Sequence, residues 1–234
     1  MKGKVAVLFV FTGGQFPEVE KAQPLFKRKP EWVVAADSGL DVAEIYGKQF
    51  GFSVNQIVGD MDSLVDYKNR LLCYNQKAIS LYPKDKDFSD TELALMAVHE
   101  RRKKNQLVVL IGGDGGRVDH LFAIKEVCSK IYRPDLWICR EQFLYTLTPE
   151  KKTLCIELKD DETLSVFSCG NGTHSICSSG LKWPLEQVEW QNGQYSLSNK
   201  SDCSGLVKIA AKEGVFLIIL SIQRLEGFLQ GLCL

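Results

Sequence analysis

No stretch of the 234-residue chain approaches the ~20 apolar residues a membrane-spanning helix needs, so a membrane role is not expected. No CxxC pair occurs among the eight cysteines, and the spacing expected of a zinc site is missing. There is no excess of one charge. Lys plus Arg and Asp plus Glu are 29 each, which argues against a general nucleic-acid binder. Neither a GxxxxGK[ST] phosphate loop nor a GxGxxG fingerprint is present, since Val118 stands where the latter needs its third glycine. The three histidines, His99, His120 and His174, lack metal-ligand spacing. No internal repeat or low-complexity linker interrupts the chain, so its parts should pack closely.

What remains is an ordinary globular composition, 45% hydrophobic and 25% charged, long enough for one large domain or two modest ones. The cysteines, several of them inside apolar runs, read as buried free thiols in a reducing cytoplasm. Val5–Phe11 after a basic start superficially resembles a signal peptide. Its apolar run is at the short limit and no small-residue cleavage pattern follows, so a buried first strand explains it better.

The first ~140 residues alternate two textures. Short apolar runs at Val5–Phe11, Trp32–Ala36, Gln56–Val58, Ala78–Leu81, Leu107–Ile111 and Leu136–Cys139 read as strands covered on both faces. Between them Glu18–Arg28, Leu40–Tyr46, Leu64–Cys73, Thr91–Lys103 and Val118–Lys130 read as helices. Ser89 with Glu92 predicts a capping box for the fourth, and the basic run from Arg101 to Lys104 suits its C-terminal end. The pattern predicts an α/β unit, 1–142, with a mostly parallel sheet. Beyond it helical periodicity disappears. Strand-like runs at Phe143–Leu147, Thr153–Leu158, Thr163–Phe167, Thr173–Cys177, Gln187–Trp190, Val207–Ala211 and Val215–Leu220 are separated by turn signals. They predict an all-β sandwich or small barrel over 143–234.

Five carboxylates fall in three turn-like segments: Asp60 and Asp62, Asp87 and Asp90, and Asp119. Clustered carboxylates repel unless a cation separates them, and Mg²⁺ is commonly held by carboxylates together with substrate phosphates. Each segment also has a plain structural explanation. Asp62 or Ser63 suits an Asx-turn or a helix cap, Ser89 and Asp90 suit a cap, and Asp37 is more often a cap for the Leu40 helix than a ligand. Four glycines in 112–116 let backbone N–H groups approach an anion, and Arg117 adds a planar donor fork; a flexible surface turn would look the same. Thr12-Gly13-Gly14 is a weak glycine turn. His99 reads as structural and His120 as a group behind the site. Trp183 and Trp190 suit packing or stacking on a flat heterocycle. Four acidic or glycine-rich turns at the ends of strands that should be parallel favour one shared ligand site.

Taken in order, Ala36-Asp37-Ser38-Gly39, the 59–63 and 86–92 segments, Gly115–His120, Gly180–Leu185 and Ser198-Asn199 resemble the thiamine pyrophosphokinase family over nearly the whole chain. The resemblance implies an α/β domain that binds Mg-ATP, a C-terminal β-sandwich, and a cytoplasmic homodimer with thiamine between subunits. It implies transfer of a diphosphate from ATP to the thiamine hydroxyl, with AMP released. On matching positions Asp60, Asp62 and Asp90 would hold Mg²⁺, with Asp87 nearby. Asp37, Ser38, Gly39, Gly113, Gly116, Arg117 and Asp119 would surround ATP, and Lys86 would face the transferred group. Asp62, Asp90, Arg117 and Lys86 would be catalytic. Trp183, Ser198 and Asn199 would face thiamine. Members often carry Glu after the Ser-Asn pair, where this chain has Lys200. Two other classes fit the residues: a different Mg-dependent phosphotransferase or phosphohydrolase, and a non-catalytic nucleotide- or thiamine-binding module.

Overall fold

The computed structural model describes residues 5–27, 29–61, 67–151, 153–202 and 205–232. In chain order the first part contains β1 (Ala6–Phe11), α1 (Val19–Ala22), β2 (Trp32–Ala36), α2 (Gly39–Phe50), β3 (Gln56–Gly59), α3 (Tyr67–Leu71), β4 (Ile79–Leu81), α4 (Asp90–Arg101), β5 (Gln106–Ile111), α5 (Val118–Val127) and β6 (Leu136–Ile138). The second contains β7 (Gln142–Leu147), β8 (Leu154–Glu157), β9 (Leu164–Cys169), β10 (Ser175–Ser179), β11 (Tyr195–Asn199), β12 (Leu206–Glu213), β13 (Val215–Ser221) and α6 (Leu225–Gly231).

Six parallel strands lie in the order β4-β3-β2-β1-β5-β6. Their side chains alternate between two cores. Phe9, Phe11, Val33 and Ala35 enter one, and Leu8, Val10, Val34 and Ala36 enter the other. Burial on both faces is why these runs carry no polar alternation. The chain steps outward from β1 to β4, then returns to place β5 on the other flank of β1. The strand order therefore reverses between β1 and β5, and in an open sheet of this kind the ligand crevice lies at the carboxyl ends of the strands, by that reversal.

The sheet then continues antiparallel through β7, β13, β9 and β11. A second sheet, β10-β12-β8, covers that half. Its inward residues Leu154, Ile156, Ile176, Val207 and Ile209 share one apolar cluster with Phe143, Val166, Phe216 and Ile218 of the large sheet. The strand β8 alternates buried and exposed along its length, as one half of a sandwich should.

Several local expectations are corrected. Gln187–Trp190 is no strand: a 3₁₀ turn at Leu185–Gln187 follows Pro184, and the Trp190 indole donates to the Leu185 carbonyl at 2.8 Å. The edge strand β11 and the short helix α6 were not expected. The helix buries Leu225, Phe228 and Leu229, and Phe228 meets Phe143 and Tyr145 edge-on. The Glu18–Arg28 segment breaks into α1 and a 3₁₀ turn at Gln23–Phe26, where Pro24 cannot continue the helix. Cys73 and Cys155 are exposed rather than buried, because each sits on a solvent-facing position of its segment; Cys128, Cys139 and Cys169 are buried. Cys203 and Cys233 lie outside the described residues. No helix among the described residues is long and apolar enough to cross a membrane.

Candidate active site

Each wall of the crevice starts at a strand end. After β2 the backbone turns through Asp37, whose φ of 46° lies in the left-handed region, and the Asp37 N–H donates to the Val58 carbonyl at 2.9 Å. The strand β3 ends on Gly59, with φ of 142°. A Cβ there would stand 3.0 Å from Asp90 Oδ1 and 3.2 Å from the Asp37 Cβ, so the lack of a side chain lets these acids close in. Asp90 is fixed from the other side as the first residue of α4. The expected capping box is present: the Ser89 hydroxyl accepts from the Glu92 N–H, and the Glu92 carboxylate accepts from the Ser89 N–H at 3.1 Å. Thr91 of the same turn shares a 2.7 Å hydroxyl–hydroxyl hydrogen bond with Thr12 at the end of β1.

Three carboxylates converge as a result. One oxygen from each of Asp37, Asp60 and Asp90 lies within 4.8 Å of the others. Asp37 Oδ1 is buried and has no hydrogen-bond partner among the described residues. Hard oxygens at this spacing, one of them unsatisfied, fit a hard divalent cation such as Mg²⁺. Asp87, expected beside the ion, lines the cleft outside this trio, and Asp37, expected beside ATP and weighed as a helix cap, takes a place in the trio instead. Asp62 lies outside the described residues.

Lys86 faces the trio, with its Nζ 3.1 Å from Asp90 Oδ1 and 3.4 Å from Asp60 Oδ2. Burial disfavours its ammonium, but the bonds and charges of Asp90 and Asp60 outweigh burial and hold its pKa above the ordinary lysine value. Burial raises the Asp90 carboxyl; Lys86 opposes the rise, while Asp60 and Asp37 reinforce it.

The opposite wall is glycine loop. The Gly113 N–H donates to the Gly13 carbonyl at 2.7 Å, and Trp137 Nε1 donates to the Gly112 carbonyl at 2.8 Å. A Cβ on Gly112 would meet the Thr12 carbonyl oxygen at 2.3 Å, so the β1 and β5 loops can touch only through glycine. Thr12, Gly13 and Gly14 therefore belong to the site, which their weak sequence signal does not reveal. Ser38, Gly113, Gly116, Arg117 and His120 line the same cleft of about 610 Å³. Gly39 starts α2 against the end of β1, where its Cβ would overlap the Phe11 carbonyl. Arg117 is exposed and grips Asp119 through both Nε and Nη2, which holds the Asp119 carboxyl below the usual range. His99 is structural, bonding the Arg133 carbonyl at 2.9 Å.

Trp183, Ser198 and Asn199 sit together and are not among the residues that line this cleft. Asn199 is fully buried and clamps the Trp183 backbone. Its Oδ1 accepts from the Trp183 N–H at 3.3 Å and its Nδ2 donates to the Trp183 carbonyl at 2.7 Å. Trp183 is left 49% exposed. Ser198 holds a φ of 51°, with its N–H donating to Ser165 Oγ at 3.1 Å.

A family model described as thiamin pyrophosphokinase, catalytic domain, matches residues 24–139, a span that holds Asp37, Asp60, Lys86, Asp90 and Arg117. The thiamine pyrophosphokinase of Bacillus subtilis (strain 168) is 23% identical over 153 residues, 63% of this chain and 69% of its own length. The fold is similar to that of a thiamin pyrophosphokinase family protein from Enterococcus faecalis (TM-score 0.68, 21% identity, 92% of this chain and 98% of that one). It is also similar to yeast thiamin pyrophosphokinase (TM-score 0.66, 15% identity, 97% and 90%). The matched catalytic stretch contains every acid of the trio, and over that stretch the chain is similar to the thiamin pyrophosphokinase family.

Proposed function

We propose that the strand-end cleft is where this chain moves the diphosphate of ATP to the hydroxyl of thiamine, giving thiamine diphosphate and AMP. The observation that carries the reading is the convergence of Asp37, Asp60 and Asp90 opposite glycine loops at the strand-order reversal. In this reading Asp37, Asp60 and Asp90 hold Mg²⁺, with Asp87 lining the same cleft. The ion would draw charge from the phosphate oxygens and fix the triphosphate. The Gly116 backbone N–H and the Arg117 fork bind phosphate oxygens, and Asp119 aims that fork. Ser38 and Gly39 shape the wall beside Asp37. Lys86 neutralises charge that grows on the transferred group. Positioning supplies much of the remaining rate, so a dedicated base is not required.

The Trp183 ring is the proposed stacking surface for thiamine, with Ser198 beside it and Asn199 holding it in place. Trp183 is not among the residues that line the carboxylate cleft of its own chain, which supports a homodimer in which residues 1–142 of one subunit meet residues 143–234 of the other. Unbridged cysteines among the described residues support a reducing, cytoplasmic setting.

Phosphorus NMR of the protein with MgATP, with and without thiamine, tests the assignment. AMP and thiamine diphosphate should appear together and only when thiamine is present. ADP or inorganic phosphate would instead indicate another phosphotransferase or a hydrolase, and an unchanged spectrum a binding module.

A further inference from the structure

The ammonium of Lys86 and a divalent ion have claims on the same oxygens. Lys86 Nζ pairs with Asp60 Oδ2 at 3.4 Å and Asp90 Oδ1 at 3.1 Å, and both acids belong to the trio. All three side chains of this contact are largely shielded, at 14%, 15% and 23% exposure, so their charges are only partly screened by water. Mg²⁺ binds carboxylate oxygens at about 2.0–2.1 Å. An ion at that distance from Asp60 and Asp90 would stand within a few ångströms of the ammonium and repel it. Lys86 can move: it lies in the loop before α4, on a flexible four-carbon stem. The cleft it lines also contains Gly113, Gly115, Gly116 and Arg117, the phosphate-facing wall. Arg117 is not a comparable counter-ion for the trio, because Asp119 already engages it.

We propose that Lys86 is a displaceable counter-ion that makes the site select the metal–nucleotide complex over the bare ion. Lys86 holds Asp60 and Asp90 against a free divalent ion. A triphosphate entering with its metal offers the ammonium new oxygens, so Lys86 leaves the carboxylates and pairs with phosphate. Metal and nucleotide binding are thereby coupled, each favouring the other. The inference rests on the reading of the trio as the Mg²⁺ site and adds the coupling to it.

The test is Mn²⁺ binding to wild type, Lys86→Met and Asp60→Asn, followed by the loss of the free-ion EPR signal. It is run with and without α,β-methylene ATP and corrected for Mn²⁺ held by the analogue. Lys86→Met should bind Mn²⁺ at least about tenfold more tightly than wild type without the analogue, and no more tightly with it, so that coupling shrinks. Equal tightening in both conditions would make Lys86 a fixed background charge and overturn the proposal, as would no tightening at all. Asp60→Asn separates the two levels. If it leaves Mn²⁺ binding unchanged in both conditions, the trio is not the metal site and the underlying reading fails as well.

Discussion

Replacing Gly59 with alanine strikes the site through its backbone. The residue holds φ of 142°, a conformation L side chains rarely adopt, and strain of this kind costs about 1–3 kcal/mol. The new Cβ would also lie 3.0 Å from Asp90 Oδ1, 3.1 Å from Asp90 Cγ and 3.2 Å from the Asp37 Cβ. Those neighbours must retreat by a few tenths of an ångström. Asp90 is the first residue of a capped helix and Asp37 is tied to Val58, so neither can yield without disturbing the trio. At about 2–4 °C per kcal/mol for a chain of this size, Tm should fall by about 2–12 °C. Turnover should fall by up to roughly 100-fold, the loss a full ångström's misplacement of catalytic groups can cause. Calorimetry gives the first number and the rate of thiamine diphosphate formation the second. Gly51→Ala is the control: Gly51 also has positive φ, 71°, at the end of α2, but nothing lies within 4 Å of its added Cβ. It should lose stability and keep its turnover. Wild-type turnover in Gly59→Ala, or equal activity losses in both variants, would refute the reasoning.

Asp60→Asn should fold normally, with an unchanged circular dichroism spectrum and Tm within about 2 °C, while turnover falls at least ~100-fold through loss of a metal carboxylate. Trp183→Ala should raise the thiamine KM more than the ATP KM with little change in Tm, since the residue is half exposed. Asn199→Ala should show the same KM split and additionally cost about 1–3 kcal/mol in urea unfolding, because it leaves buried backbone groups of Trp183 unpaired. Asp135→Asn should cost about 3 kcal/mol at pH 7 by stranding Lys151 and Arg102, which pair with Asp135 at 2.9 and 2.7 Å. Burial pushes the Asp135 carboxyl up, but Lys151, Arg102 and the Val108 N–H pull it below its ordinary value. A carboxyl lowered in the folded state stabilises above its unfolded pKa of about 3.9 and loses that contribution as pH falls through the folded value. The gap between wild type and variant in urea melts should therefore close in acid below that range.

The parallel strands were legible because burial on both faces leaves unbroken apolar runs, and the Ser89–Glu92 box announced α4 directly. The second half was read less well where its signals are short or polar. β11 exposes Tyr195, Leu197 and Ser198 on a sheet edge, and α6 spans too few residues to show a period. In the site, the sequence marks acids but not distances. Asp37 looks like a helix cap until its positive φ and the bare Cα of Gly59 bring it against Asp90. Thr12 and the glycines after it have nothing distinctive in sequence, and only the adjacency of β1 and β5 gives them a place.

The pairing of β6 with β7 also bears on where the chain can be cut. Leu136, Trp137 and Ile138 pair with Tyr145, Leu144 and Phe143, so one ladder joins the parallel and antiparallel halves. Severing the chain between them would bare two apolar edges, each a row of unmet N–H and C=O groups ready to pair with another molecule. Fragments split near residue 142 should therefore precipitate or stick to each other when made alone, and recover solubility when co-expressed.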